Sequence, residues 1–579
     1  MFQVKIYLAS IQPLETRQST LNERGLIMSK TLKSNKFVTG ALIISIVLAG
    51  MSFGNLPSPT TSTSIQTVNG VTFNFADYRS LTLEELAIFN FLTNLFDQPY
   101  GSWDGWYLEP EFYGLFHYVL AFMSYSLAMY YETTPGYRTS YYEEISDNLV
   151  RKFNTSYDDW DNQSIEYFEW IYASITQNWT GYYYPDTFTP DADDLYTGGF
   201  RGPANIMWTG HYMLMELLHE RNFNTGEFDD EITFYMEDWN NSLTTDGFGN
   251  PQEGGIWKCG LIPCEPYEVW VQCNSIPIYA TELYDGIYGT AYMGNDTVEG
   301  IWDYGLEFSN TMMQDPNSLY IDGYYVQEPF GFQQPEEGVQ QEFPGNRLSP
   351  FRTDGSLRSR GYGVAWSLEF LDFLQPEVTD EEYSIFLREY GKEISGDQMY
   401  FVDSFYNTGY FGTYEFLACL FTLALAKQEG DFNTVQRIQN FLYGLYNKVW
   451  SADGREMHWD TSSLEPFLQT SIAYGWIWGC NPVTLNDLVE PRPAGFWDYP
   501  FISQADDEYI WVYQAEWDPV KEGFILNINV DQPATLTFSN FDSLPTAYAG
   551  GVPLRTLELT SGGDYTLTLQ SGSYNLVIM

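Results

Sequence analysis

From about Ser80 to Leu485, apolar and aromatic residues recur at helical spacing, segment after segment, with no strand-like stretch between them. A chain patterned in this way buries its apolar stripes by packing helix on helix. The pattern is clearest in Leu81–Phe96, Glu111–Tyr131, Asn205–His219, Ser275–Tyr288, Trp366–Leu374, Tyr410–Glu429 and Phe432–Val449. It is weaker in 140–153, 228–243, 297–313, 380–394 and 465–475. Thr82 stands three residues before Glu85, the spacing of a capping box. Roughly twelve helices in successive hairpins, with no short solenoid repeat, predict a mainly α fold, an (α/α)6 barrel over residues 80–490. After Pro493 the period changes to two. Segments such as Phe524–Val530, Ala534–Phe538, Tyr565–Leu569 and Tyr574–Ile578 alternate between turns, which predicts a small antiparallel β domain, sandwich-like, over 500–579.

Acidic residues outnumber basic ones 77 to 26, for a net charge of −51, so nucleic acid and anionic lipid are excluded as partners. An aromatic content of 18% excludes a disordered chain. Residues 1–56 form an N-terminal extension in which Lys30, Lys33 and Lys36 precede the apolar run Phe37–Phe53. This is the layout of a signal peptide, and the run also approaches the length of a membrane anchor, so both readings stand. Residues 57–79, opening on the Ser/Thr/Pro stretch Pro57–Ser64, are expected to be an extended linker. The chain is thus expected to be exported, either extracellular or anchored with its bulk outside the cytoplasm. Sequons at Asn154, Asn162, Asn178, Asn240 and Asn295 are compatible with a glycoprotein.

Only five cysteines and four histidines occur, and two of the cysteines and one of the histidines fall in two short segments. One is Cys264-Glu-Pro-Tyr-Glu-Val-Trp-Val-Gln-Cys273-Asn, and the other is Gly202-Pro-Ala-Asn-Ile-Met-Trp-Thr-Gly-His211. On a helix, Met207, His211, Leu214 and Leu218 share one face, which places an imidazole in apolar surroundings. Such a ring is kept neutral by desolvation and can accept or relay a proton, or it is simply a hydrogen-bonded core histidine. Cys264 and Cys273 fit an acid/base pair of thiols, and they equally fit a disulfide, as do Cys259 and Cys264. A metal is not expected, because no C-x-x-C or H-E-x-x-H spacing is present. Cys419 lies in an apolar run as a small core residue, and His117 and His219 have the setting of surface or packing residues. The clusters Asp158-Asp159-Trp-Asp161 and Asp191-Ala-Asp193-Asp194 miss the calcium-loop spacing and are expected to be solvated loops.

Taken in order, these motifs resemble the linalool dehydratase/isomerase family over about residues 85–480. The strongest pieces are Cys264-Glu-Pro…Val-Gln-Cys273-Asn-Ser and Asn205-Ile-Met-X-X-Gly-His211. Pro99-Tyr100, His117-Tyr118, Tyr362-X-X-Ala-Trp366 and Phe421–Asp431 add to them. The resemblance implies a helical barrel assembled into a homo-oligomeric ring, with an apolar pocket for a small unsaturated alcohol or its alkene and no cofactor. It places His211, Cys264, Cys273 and Tyr100 at catalytic positions, and Met207, Tyr118, Tyr362 and Trp366 around the substrate. The implied reaction is acid–base removal of water from an allylic or tertiary alcohol, with isomerisation in some members. One departure stands out. Where the family has an essential Asp shortly before the tyrosine, this sequence has Thr93 or Asn94, with Asp97 the nearest carboxylate, which weakens the case for linalool itself. Asn94 and Asp97 are therefore carried as candidate substrate contacts. Two other classes compete: a carbohydrate-active (α/α)6 enzyme using paired carboxylates, and a non-catalytic surface protein.

Overall fold

The computed structural model describes residues 65–96, 116–153, 206–246, 249–264, 268–295, 297–321, 323–325, 359–403, 411–460 and 471–579. Among them run α1 (Leu83–Phe96), α2 (Phe116–Thr133), α3 (Ser140–Phe153), α4 (Ile206–Phe223), α5 (Asp229–Thr244) and α6 (Val271–Tyr288). These are followed by α7 (Asp303–Met312), α8 (Gly361–Leu371), α9 (Pro376–Tyr390), α10 (Thr413–Gln428), α11 (Phe432–Leu445) and α12 (Ser471–Cys480). Each overlaps a segment whose period predicts a helix. The capping box forms as the spacing requires: the Thr82 amide donates to Glu85 at 2.7 Å, and the Glu85 amide donates back to the Thr82 hydroxyl at 3.2 Å.

Two kinds of helix alternate. In α4 nearly every side chain is buried, the mark of a helix surrounded by others. By contrast, α3 buries one side, Tyr142, Ile145, Ser146, Leu149, Val150 and Phe153 together with Lys152, and leaves Glu143 and Glu144 exposed on the other. Helices α2, α4, α6, α8, α10 and α12 pack in that succession, and α12 returns to α2. α3, α5, α9 and α11 pack against α2 and α4, α4, α8 and α10 respectively. In the last turn of α2, Glu132 accepts from Arg221 of α4 at 2.9 Å and from Arg492 at 2.6 Å. Burial pushes the Glu132 carboxyl up, but the guanidiniums of Arg492, Arg221 and Arg79 outweigh it and hold the group below its usual range. Arg221 also suits its place near the C-terminal end of α4, where the helix dipole favours a cation.

Among the described residues, four short strand pairs lie before and between the helices. β1 (Ile65–Val68) pairs with β2 (Val71–Asn74), β3 (Glu268–Trp270) with β4 (Gly323–Tyr325), β5 (Gly391–Ser395) with β6 (Gln398–Phe401), and β7 (Lys448–Trp450) with β8 (Met457–Trp459). All four pairs are antiparallel. The C-terminal strands are β9 (Phe501–Ala505), β10 (Ile510–Asp518), β11 (Gly523–Val530), β12 (Ala534–Ser539), β13 (Thr546–Ala549), β14 (Val552–Thr556), β15 (Glu558–Leu559), β16 (Tyr565–Leu569) and β17 (Gly572–Ile578). They form one sheet in the order β10-β11-β17-β13-β14 and another in the order β15-β16-β12-β9, both antiparallel. Phe524 and Phe538 join the sheets through a ring contact at 5.6 Å.

The sheets are tied to the helices by backbone bonds. In the α2–α3 connection, Gly136 donates to Ala515 O and accepts from the Ile502 amide, each at 2.8 Å. The described residues from Ile65 to Met579 fall in one compact unit. The linker expected over 57–79 gives way, from Ile65 on, to the β1–β2 hairpin. Its turn residues Asn69 and Gly70 both have positive φ, the Asn-Gly turn chemistry of a tight hairpin. Val68, Phe73 and Phe75 pack on Ile525 and Val577 of the larger sheet. The apolar leader lies outside the described residues, and among those described no helix is long and apolar enough to cross a membrane.

Candidate functional site

One main-chain bond and one side-chain clamp bring the thiol segment to the starts of α4 and α6. The Ile206 amide, first in α4, donates to Pro263 O at 3.2 Å. The buried Asn274 side chain clamps Ile262 from both sides: its oxygen accepts the Ile262 amide at 2.9 Å, and its nitrogen donates to Ile262 O at 3.0 Å and to Trp270 O at 2.9 Å. Cys264 follows Pro263 directly, and Cys273 precedes the clamp by one residue in the first turn of α6. Both thiols are buried, and none of the five cysteines is in a disulfide. The disulfide reading is therefore set aside. His211 lies five residues into α4 from the Pro263 tie, about 7.5 Å along the helix axis.

The helices α4 and α6 approach closely at the residue before His211. A Cβ on Gly210 would meet the Pro277 ring at 3.0 Å and Ile276 at 3.6 Å, so glycine lets the two backbones approach. Pro277, inside α6, has no N–H to give to the Cys273 carbonyl four residues earlier. The helix is thus relaxed at the turn that carries the thiol.

His211 sits in an aromatic enclosure. Tyr118 and Phe122 of α2 meet its ring edge-on at 5.6 and 5.5 Å, and Trp366 of α8 lies at 5.7 Å. The Tyr125 hydroxyl is 2.6 Å from His211 Nδ1. One turn nearer the start of α4, the Met207 sulfur accepts a hydrogen bond from the Tyr118 hydroxyl. Phe122 also reaches Trp366, Phe421 and Trp478 at 5.3, 5.2 and 5.1 Å, so side chains from α2, α8, α10 and α12 meet at one level. Trp366 stacks on Phe421 at 4.9 Å, and its buried indole N–H finds no acceptor among the described residues. A donor of that kind in an apolar enclosure is suited to one polar atom of a ligand.

The structure thus joins His211, Met207, Tyr118 and Trp366 directly, and anchors the Cys264 and Cys273 backbones where α4 and α6 begin. Tyr362, in the first turn of α8, stacks on Tyr414 at 5.7 Å and lies beneath Arg360 at 5.8 Å, in the same relation to α8 as Met207 has to α4. Thr93 is buried and donates to Asn90 O, and Asn94 is exposed near the end of α1. Tyr100, Asp97, Glu265 and both acidic clusters lie outside the described residues. Tyr125 and Asn274 are the site residues missed in the sequence. Tyr125 follows Tyr118 and Phe122 at helical spacing, and Asn274 adjoins Cys273, so each had a positional signal. Elsewhere, His219 is buried against Ser146, and burial takes its pKa down to about 4, a packing role. Cys419 is buried in the core. Among the described residues no group of three or more His, Cys, Asp or Glu is placed to hold a metal ion.

Residues 117–342 match the linalool dehydratase/isomerase family. The matched segment contains the His211 and Cys264/Cys273 motifs on which the resemblance was read. No curated protein matches the chain. Among solved structures, a family 105 glycoside hydrolase of C. acetobutylicum aligns at 11% identity and TM-score 0.36, covering 70% of this chain and 98% of its own. An α-1,6-mannanase of Salegentibacter aligns at 11% identity and TM-score 0.37, covering 70% and 100%. A β-L-arabinofuranosidase of Geobacillus stearothermophilus aligns at 12% identity and TM-score 0.31, covering 85% and 75%. Likeness this slight carries neither fold nor activity across.

Proposed function

We propose that this protein is a cofactor-independent hydro-lyase, a dehydratase/isomerase acting on a small apolar unsaturated alcohol within an (α/α)6 barrel. The observation that carries the reading is one enclosure, lined by Tyr118, Phe122 and Trp366 around His211, beside a loop that tethers two buried thiols at the same helix ends. The closed succession of α2, α4, α6, α8, α10 and α12 supports the barrel, with those helices as its inner ring.

Dehydration needs a proton delivered to the leaving hydroxyl as the C–O bond breaks, and a base that takes a proton from the neighbouring carbon as the double bond forms. We assign the hydroxyl to His211 and Tyr100, and the proton transfers at carbon to Cys264 and Cys273. Aromatic faces and the Met207 sulfur suit a developing allylic cation in a dry pocket. Assembly as a homo-oligomeric ring and export by the leader belong to the same proposal, supported by the family match and by the Lys30–Phe53 pattern.

The test is headspace analysis of the full chain incubated with a panel of short-chain and terpenoid alkenols. Cys264→Ala and Cys273→Ala are each expected to lower turnover by ~10²–10⁴-fold with circular dichroism unchanged. Full activity in both variants, or no alkene from any alcohol of the panel, overturns the reading.

A further inference from the structure

Tyr125 is fully buried, with its ring nearly parallel to that of His211, 22° apart, and with Phe122 and Phe370 edge-on against it. Its hydroxyl lies 2.6 Å from His211 Nδ1 and makes no other hydrogen bond among the described residues. A phenol has one proton to donate, and a neutral imidazole has one N–H and one acceptor nitrogen. Only two arrangements of this pair are open. If Nδ1 carried the ring proton and gave it to the phenol oxygen, the phenol proton would be buried with no acceptor, which is costly. If the phenol donates to Nδ1, both groups are satisfied. Burial, reinforced by the neighbouring Tyr279 hydroxyl, raises the Tyr125 pKa well above the ordinary phenol value, so the proton stays on Tyr125 at neutral pH.

We propose that Tyr125 is the positioning residue of this site: by donating to Nδ1 it places the ring proton of His211 on Nε2, which then serves as a hydrogen-bond donor to the ligand's oxygen. In this arrangement His211 holds the leaving hydroxyl without giving up its own proton, since imidazolate is out of reach at neutral pH. The proton that converts the hydroxyl to water then comes from another acid of the site. Tyr125 is not a relay, because a buried phenolate would have no compensating charge in the aromatic packing around it. The enclosure supports the assignment, as a ring held by a stack and by edge contacts cannot turn to exchange its two nitrogens.

The kinetic consequence rests on the dehydratase reading, but the tautomer does not, so the two are tested apart. With only four histidines in the chain, ¹⁵N-histidine spectra of the full-length protein near neutral pH resolve the His211 ring nitrogens, assigned by their loss in His211→Gln. The expected spectrum has Nε2 protonated and Nδ1 unprotonated and hydrogen-bonded. A ring proton on Nδ1 overturns the proposal whatever the protein catalyses, and this measurement needs no variant at Tyr125. In Tyr125→Phe the single tautomer gives way to a mixture. Against any alkenol that turns over, Tyr125→Phe is expected to lower kcat about 10–100-fold, the usual loss when the partner orienting a working histidine is removed, with KM within about twofold. His211→Gln, whose amide N–H reaches the place of Nε2–H, is expected to retain more activity than His211→Ala. Wild-type kcat in a folded Tyr125→Phe overturns the positioning role, as does equal loss in the Gln and Ala variants.

Discussion

Cys259, Cys264 and Cys273 are all buried, but the setting of Cys259 sets it apart. The Cys259 thiol points back to Leu261 O at 3.5 Å, and burial pushes it up to about 12, so it stays a neutral thiol across the working range. Gly260, which follows it, has φ +67, and a Cβ there would meet the Gly305 amide at 2.4 Å, so the turn carrying Cys259 is fixed by packing. Cys259→Ala is therefore expected to keep alkenol turnover within about twofold of wild type while Cys264→Ala loses it, measured side by side on the same alcohol. Equal loss in both would assign the two cysteines a structural role only. Cys264, Cys273 and His211 were legible as candidates because their types are scarce and their motifs ordered. Tyr125 and Asn274 carried only a positional signal, because each acquires its role from a partner on another element and neither residue type is scarce.

At the scale of elements, the site depends on how closely α4 approaches α6. In an ordinary helix interior, replacing glycine with a larger residue gains a few tenths to about 1 kcal/mol of helix propensity. At Gly210 the added atoms would press on the Pro277 ring, which is not the far end of a flexible side chain. Overpacking of this kind costs about 1–3 kcal/mol, so the contact outweighs the propensity. Gly210→Val is thus expected to lower the free energy of unfolding in urea by about 1–3 kcal/mol. It should also depress turnover beyond that loss of stability, since His211 is the next residue. A neutral or stabilised variant would show that the helices do not meet there. Helical period was enough to find every long helix described, because a buried stripe must repeat whatever its partners are. Boundaries fared worse. α6 begins at Val271 where Ser275 was expected, because Pro277 disguises its first turn. β9, β13 and β14 escaped notice because short or edge strands carry little alternating pattern, and β14 is exposed along its whole length.

Across the whole molecule, the acidic excess is not confined to the surface. Burial raises the carboxyls of Asp238 and Glu516 to about 7 and those of Glu382 and Glu429 to about 8; Asp315 adds to the effect at Glu382, and a hydrogen bond to Asp380 adds to it at Glu429. Each of these groups keeps its proton in the folded state to a higher pH than in the unfolded chain. Between about pH 4.5 and 8 the folded state therefore binds more protons, and its stability falls as pH rises through that window. His219, lowered to about 4, and His458, also lowered by burial, work in the opposite sense, losing stability as pH falls below 6.5, but they are two groups against four. Surface repulsion from a net charge of −51 grows in the same direction as the carboxyl effect and is screened by salt. Melting curves at pH 5 and pH 8, recorded at low and at 1 M salt, separate the two. Salt should raise Tm more at pH 8 than at pH 5. A difference of a few degrees in favour of pH 5 should survive at 1 M salt, because salt screens carboxyls withdrawn from solvent much less than surface charges. A Tm at 1 M salt that is equal at the two pH values, or higher at pH 8, would mean that these carboxyls ionise in the folded protein as they do in the unfolded chain.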